Sequence, residues 1–405
     1  MYAYGMKKNF LPLLACLMGL LLSCSVSKTE QEQSFPQIPI LAWFSIPAEH
    51  TSLDRYLELK EAGFTHGFSH TTTADEVAAA LDTAQRAGIK MIITCKELET
   101  DPEATVNRFK NHPALDGYFL RDEPDRTAFA SLGEWARKIE SVDKEHYCYL
   151  NLLPTYASLG ALKTNSYREY VNLFIQEVNL PFVSFDHYPV IGDSTLRGDF
   201  YENLEIISDE SRKAGKPFWA FALATAHDPY PIATLASLRL QVYSNLAYGA
   251  QGIQYFTYWT PVGTIWNFNH APITETFQRS EVYDRVREVN KEIKALSPVF
   301  LGAKLLSVTH TGEIPAGTKQ LASLPAPFEE VSASGRGVLV SELENGANHY
   351  LVIVNRDLKH SQQVTVRCTG AVSRVLKDGS SVPAARYTPT LAVDAGDALI
   401  YTWKK

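Results

Sequence analysis

Two adjacent carboxylic acids, Asp122 and Glu123, stand directly before Pro124 at the end of an apolar, strand-like run. Carboxyl groups this close can divide acid and base roles, because the charge on one raises the pKa of the other and keeps it protonated near neutral pH. We therefore expect Glu123 to act as a proton donor. Successive strand residues point to opposite faces, so both acids can enter one site only if the chain bends at Asp122.

The same segment also allows a purely structural interpretation. Asp122 or Asp125 could cap the next helix, since a carboxylate readily accepts the free N–H groups of a first turn. Glu123 would then pair with Arg121 and have no chemical role. The position of the Glu123 carboxyl decides between the two interpretations.

A second polar cluster, Asp186-His187-Tyr188, follows another strand-like run. Asp186 is the other candidate partner for Glu123, and Tyr188 could present a hydroxyl to a ligand. His187 is included as a candidate ligand-binding residue, although a histidine in such a place is more often buried and hydrogen-bonded. Polar or aromatic residues after other strands are candidate hydroxyl-binding groups: Trp43, His70 and Asn151.

The elements that must position these residues alternate between strand and helix from residue 39 to residue 300. Such alternation predicts repeated β/α units and a parallel sheet, here a (β/α)8 TIM barrel of the α/β class. Thr51–Asp54 and Thr73–Glu76 are capping-box patterns that should open the first two helices. The eight predicted strands are residues 40–46, 64–69, 90–95, 115–121, 147–152, 182–186, 218–224 and 252–258.

In a barrel of this kind the active site lies where the carboxyl ends of the strands converge. With Glu123 at the end of the fourth strand, the sequence resembles the barrel superfamily of glycoside hydrolases, many of which carry their proton-donating Glu there. The Asp-Glu-Pro motif is most similar to that of β-N-acetylhexosaminidases that use substrate assistance. This resemblance implies that Glu123 protonates the leaving oxygen and that Asp122 orients the acetamide of the substrate.

The predicted seventh strand departs from the common pattern of these enzymes. It continues into Ala224 and Thr225, where the resemblance leads one to expect a nucleophilic Glu. The absence of this Glu favours substrate assistance or a catalytic role for Asp186. A spacing of about 5 Å between the Asp186 and Glu123 carboxyls would suit a retaining mechanism, and one of about 6.5–9.5 Å would suit an inverting mechanism. The absence also permits a degenerate barrel that binds glycans without cleaving them.

Aromatic residues are the second feature that suits a carbohydrate ligand. The 405 residues include 20 Tyr, 19 Phe and 6 Trp, whose flat faces can stack on sugar rings. Trp259, after the eighth predicted strand, resembles the platform under the sugar in related barrels. A core tryptophan that seals the barrel is the alternative.

Residues 301–405 change to short alternating strands separated by turns, which predicts an antiparallel β-sandwich. The stretch from residue 350 to residue 356 resembles the C-terminal β domain of many barrel glycosidases, which rarely holds catalytic groups. The formal net charge of -7 provides no basic surplus for nucleic acid. The sequence implies no cofactor and no metal, and a carbohydrate is the expected partner.

The first 24 residues form a predicted lipoprotein signal peptide. Lys7 and Lys8 precede an apolar run from residue 10 to residue 22, which is too short to span a bilayer comfortably. The following Leu-Leu-Ser-Cys ending resembles a bacterial lipobox, so cleavage before Cys24 and lipidation of its thiol are expected. Residues 25–38 would be a tether. This places the protein in the cell envelope, in contact with the outer membrane only through the lipid.

Overall fold

The computed structural model describes residues 36–405, so the predicted signal peptide and Cys24 lie outside the described residues. Eight parallel strands form the first part of the fold, and each coincides with a predicted strand. Their bounds are β1 Ile40–Trp43, β2 His66–Phe68, β3 Lys90–Ile93, β4 Leu115–Asp122, β5 Tyr147–Asn151, β6 Val183–Phe185, β7 Phe218–Leu223 and β8 Gly252–Phe256.

The strands close into a barrel. Neighbours along the chain pair with each other from β1 to β5, and β8 returns to pair with β1, with Ile40 opposite Ile253. A parallel bridge between Leu152 and Phe185 joins β5 to β6 and completes the ring. The predicted (β/α)8 architecture is therefore confirmed, and all eight carboxyl ends meet at one mouth.

Helices cover the outside of the barrel. Thr73 and Glu76 form the predicted capping box at the start of the second helix. The first predicted capping box also lies at the start of a helix, but its side-chain bonds do not form, and Ser52 occupies the N-cap without a side-chain hydrogen bond. The helices are α1 Leu53–Glu61, α2 Ala74–Ala87, α3 Lys96–Thr100, α4 Pro102–Phe109, α5 Phe129–Val142, α6 Leu159–Leu162, α7 Tyr167–Glu177, α8 Phe200–Lys213, α9 Leu235–Ala247, α10 Glu281–Ala295 and α11 Ser297–Phe300.

The barrel interior is unusually aromatic. Trp43 contacts Phe68, Phe119 and Phe221 with ring-centroid separations of 4.5–5.4 Å, and Phe182 stacks on Trp219 at 4.6 Å. Alternate residues of the strands point outward and pack against the helices, as the period of a strand requires. The aromatic layer fills the barrel below the mouth, so the carboxyl ends of the strands stand on a rigid floor.

The C-terminal part contains two antiparallel sheets that pack face to face, as predicted. One sheet has the order β9-β11-β12-β17-β14-β15 and the other has the order β10-β13-β16. The strands are β9 Lys304–His310, β10 Phe328–Ala333, β11 Val338–Asn345, β12 Asn348–Asn355, β13 Gln362–Cys368, β14 Ser373–Val375, β15 Ser381–Pro383, β16 Thr390–Val393 and β17 Ala398–Lys404.

The larger sheet packs on the barrel around α9. The Ser341 hydroxyl donates to the Ala247 carbonyl at 2.6 Å, and the Tyr248 hydroxyl lies 2.9 Å from Nε2 of His310. All four groups are buried, so these hydrogen bonds fix the orientation of the sheet on the barrel. Within residues 36–405, no helix is long and apolar enough to cross a membrane.

Candidate active site

Two distortions of β4 bring both predicted acids to the mouth of the barrel. The pairing of β4 with β5 shifts register between Phe119 and Arg121, and Glu123 has a left-handed φ of 43°. A non-glycine residue in that region costs about 1–3 kcal/mol, which the surrounding structure must offset. The Glu123 N–H donates to the Asn151 carbonyl at 2.9 Å and holds the bend in place. The expected bend is therefore present, and Asp122 and Glu123 line the same cavity.

Asn151, at the end of β5, connects the acids. Its Nδ2 donates to Asp186 Oδ1 at 2.9 Å and to Asp122 Oδ1 at 3.3 Å. Its Oδ1 accepts a hydrogen bond from the Ser184 hydroxyl at 2.9 Å, and the oxygen of that hydroxyl accepts one from Nε2 of Gln254 at 2.8 Å. Because the amide oxygen is already engaged, the amide nitrogen faces the carboxylates. Asn151 thus holds Asp122 and Asp186 in fixed positions.

Asp186 and Glu123 are in direct side-chain hydrogen-bond contact. One of the two must carry a proton for that bond to form, because two carboxylates have no donor between them. The arrangement is therefore a proton-sharing pair in the wall of the cavity.

All three acids have a raised pKa. Burial is the main cause for each, and the charge of Glu123 adds to it for Asp122 and Asp186. The pKa of Asp122 rises to about 7. Asp122 and Glu123 are exposed at the cavity mouth, whereas Asp186 is 6% exposed, so burial acts most strongly on Asp186. The cluster therefore retains a proton at pH values where isolated surface carboxyls have lost theirs.

The acids open into a cavity of about 430 Å³ at the barrel mouth. Its size suits a sugar unit, and its wall combines polar groups with aromatic faces. The lining residues are Trp43, Asp122, Glu123, Asn151, Tyr156, Asp186, Tyr188, Phe221, His227, Asp228, Pro229, Tyr230, Phe256, Trp266 and Phe268. No group of three or more side chains within the described range is arranged to hold a metal ion.

The structure brings six of the nine residues predicted for the site in the barrel to this cavity: Trp43, Asp122, Glu123, Asn151, Asp186 and Tyr188. His70 is outside its lining, with its ring 5.9 Å from that of Trp43. His187 has a fully buried side chain, and its Nε2 lies 3.4 Å from Asp199 Oδ1, which makes it a structural histidine behind the wall. It does not line the cavity, contrary to the expected ligand contact.

Trp259 also lies away from the cavity and cannot be the expected platform there. Its side chain is buried, stacks on His50 at a centroid separation of 5.4 Å and carries the Arg55 guanidinium over its ring. The chain turns outward after β8, and Phe256 faces the cavity instead. This placement corresponds to the alternative of a core tryptophan.

The structural interpretation of the acidic segment is correct for Asp125 but not for Glu123. Asp125 caps a short 3-10 turn by accepting the Thr127 N–H at 2.8 Å, while Glu123 contacts Asp186. At the end of β7, the Thr225 hydroxyl is 2.6 Å from that of Thr257, and both are buried. No carboxylate occupies the end of this strand.

Sequence reasoning missed the wall that the loops after β7 and β8 provide. His227 is packed between Tyr230 and Phe268, with ring centroids 4.7 and 4.6 Å away. Its Nδ1 lies 3.3 Å from the Thr225 carbonyl, which can only accept, so Nδ1 carries the proton. Burial lowers the pKa of His227, so the ring is neutral near pH 7. Only the proximity of these residues to strand ends could have pointed to them.

A family model described as beta-galactosidase, from glycoside hydrolase family 42, matches residues 159–296, about a third of the chain. No protein with a curated description matches the sequence. Together with the barrel and its acidic mouth, the family match supports glycoside hydrolase function.

Two solved β-galactosidase structures match this chain over both the barrel and the β domain. The Gan42B β-galactosidase of G. stearothermophilus, solved as a catalytic mutant, superposes with a TM-score of 0.64 at 11% identity, over 91% of this chain and 98% of that chain. A β-galactosidase from Bacillus circulans gives 0.57 at 10% identity, over 91% and 99%. The enzyme of Marinomonas ef1 gives 0.47 at 12% identity, over 64% and 60%, so the chain spans about 60% of its length.

Proposed function

We propose that this protein hydrolyses glycosidic bonds with Glu123 as the general acid. The observation that carries the proposal is the position of Glu123, which projects from the end of β4 into the cavity while its carboxyl contacts Asp186. A general acid must be protonated at the working pH and within reach of the leaving oxygen. Burial raises the pKa of Glu123, and Asp186 holds a proton that can pass to it, so the pair supplies the first condition. The open cavity supplies the second.

Asp122 is the better candidate for the second carboxylate. Asp186 shares a proton with Glu123 and has a raised pKa, so its carboxyl is a poor nucleophile toward a sugar that Glu123 protonates. Asp122 faces the same cavity and is held by Asn151, so it could orient a group on the substrate. A substrate acetamide that attacks the anomeric carbon would take the place of the protein nucleophile that β7 lacks. This is the substrate-assisted mechanism that the resemblance to β-N-acetylhexosaminidases implies.

The charges of the cavity wall favour neutral sugars. Its lining includes four carboxylic acids and neither lysine nor arginine. A uronic acid or a sulfated sugar would bring another anion into a site where carboxyls already repel one another. The β-galactoside and the N-acetyl-β-hexosaminide, both uncharged, are the first substrates to test.

The test is a panel of 4-nitrophenyl glycosides with matched 2-hydroxyl, 2-acetamido and uronic acid members. We expect release of 4-nitrophenolate from neutral β-glycosides and little release from uronides. If only 2-acetamido members are cleaved, and Asp122→Asn lowers their kcat by about 10²-fold or more, substrate assistance is supported. Equal turnover of 2-hydroxyl members would count against assistance while leaving the glycosidase intact.

A glycan-binding protein without catalysis is the second candidate. The observation that favours it is the end of β7, where Ala224 and Thr225 stand in place of a carboxylate. Calorimetry with oligosaccharides distinguishes the two functions. Measurable affinity together with no new reducing ends after long incubation would favour binding alone.

We also propose that Cys24 carries lipid and anchors the protein in the cell envelope, on the periplasmic or outer side of the outer membrane. The support is the order of segments in the first 24 residues, in which two lysines are followed by an apolar run and then by Leu-Leu-Ser-Cys. Cys24→Ser should move the protein from the membrane fraction to the soluble envelope fraction and abolish labelling by a clickable fatty acid. A membrane-bound Cys24→Ser protein would contradict the anchor.

A further inference from the structure

The loop after β8 presents an exposed tryptophan at the edge of the cavity. Trp266 is 55% exposed yet lines the cavity, and its ring lies 6.1 Å from that of His227. Val262 and Ile265 in the same loop are 70% and 94% exposed. Large apolar side chains grouped next to a site usually mark a surface that a ligand covers.

Hydrogen bonds to the neighbouring loop hold this segment in place. Asn267 Oδ1 accepts the Asp228 N–H at 2.9 Å, and Asn267 Nδ2 donates to Asp228 Oδ2 at 3.0 Å. Ala226 and Asn269 exchange two backbone hydrogen bonds of 2.9 Å. The Thr264 hydroxyl accepts the Trp266 N–H at 3.2 Å. The indole is thus carried on a braced loop whose position is set relative to the cavity.

We propose that Trp266 is a stacking platform for a second sugar unit, next to the one held by Asp122, Glu123 and Asp186. The inference rests on the proposed glycosidase function and adds that the substrate is an oligosaccharide. A sugar suits this surface because its C–H face covers an indole while its hydroxyls stay in water. Continuity of Trp266 with the acidic cavity favours a sugar over a lipid or a second protein molecule.

The test compares ligands of one and two sugar units. Affinities are measured by calorimetry in the Glu123→Gln background, which prevents turnover. One pair of probes is galactobiose and methyl β-galactoside. The other pair is chitobiose and methyl N-acetyl-β-glucosaminide. The disaccharide of the recognised sugar should bind about tenfold more tightly than its monosaccharide. Trp266→Ala should abolish that preference and weaken disaccharide binding far more than monosaccharide binding, and Trp266→Phe should restore most of the preference.

Ile314→Ala is the matched control, because Ile314 is an exposed apolar residue of the C-terminal part outside the cavity lining. It should leave the affinity ratio unchanged. A ratio unaffected by Trp266→Ala would overturn the platform but not the glycosidase. Two other results would also overturn the platform if Trp266→Ala left sugar affinity unchanged. One is Trp266-dependent binding to phosphatidylglycerol vesicles, and the other is Trp266-dependent self-association of the Cys24→Ser protein. Failure of every sugar to bind would overturn the proposed function as well.

Discussion

Replacement of Glu123 by Gln should lower kcat for 4-nitrophenyl glycosides by about 10³-fold, since a positioned general acid contributes about 10²–10⁴-fold. Gln keeps the shape of the side chain and can still donate to Asp186, but it has no proton to transfer to a leaving oxygen. The melting temperature should stay the same or rise slightly, because a carboxyl with a raised pKa is removed. Initial rates and thermal unfolding of the same preparation measure both effects.

Asp125→Asn is the control for this variant. Asp125 is two residues from Glu123, but it caps a turn outside the cavity, and Asn preserves that cap. Activity should remain within about twofold of the unmodified protein, as expected for a surface substitution away from the site. Normal turnover by Glu123→Gln, or an equal loss in both variants, would contradict the assignment of the acid.

Replacement of Asp186 by Asn should have the second largest effect, a fall in kcat of about 10²-fold at neutral pH. Within the pair Asp186 holds the shared proton, because burial and the charge of Glu123 raise the pKa of Asp186, while the hydrogen bond from Asp186 lowers the pKa of Glu123. Asn removes the proton that the pair retains to high pH. The alkaline limb of the pH–rate profile should therefore move to lower pH. An unshifted limb would show that Asp186 does not influence the acid.

The same variant should change stability in a pH-dependent way. Burial raises the folded-state pKa of Asp186 well above its unfolded value, so the folded form loses stability as the pH rises between those two values. Asn has no proton to lose. Asp186→Asn should therefore unfold at a higher temperature than the unmodified protein at pH 7, with the difference vanishing near pH 4. Thermal unfolding at both pH values tests this, and a lower melting temperature at pH 7 would contradict the buried-charge account.

The barrel could be predicted from the sequence because each strand is a short apolar run bounded by helix signals. All eight predicted strands exist, although most are shorter than their apolar runs, since the ends leave the sheet to form the mouth. The first capping box was not predictable by pattern alone. Thr51 and Asp54 have the expected residue types, but Ser52 occupies the cap and forms no side-chain bond there.

The site was predictable only where it depends on strand ends. Asp122, Glu123, Asn151 and Asp186 follow directly from the rule that the carboxyl ends of the strands converge. His187 and Trp259 follow strands too, yet the chain turns their side chains into packed surroundings. The wall that contains His227 and Trp266 depends on hydrogen bonds between two loops. Such pairings join residues far apart in the chain and leave no periodic signal.

The most direct measurement of the central claim is the dependence of kcat/KM on the pKa of the leaving phenol, for the unmodified protein and for Glu123→Gln. If Glu123 donates the proton, the variant should depend steeply on leaving-group pKa and approach the unmodified rate for 2,4-dinitrophenyl glycosides, which need no protonation. The unmodified protein should show a shallow dependence. Parallel slopes, with the variant equally impaired for every leaving group, would contradict the role of Glu123 as the acid.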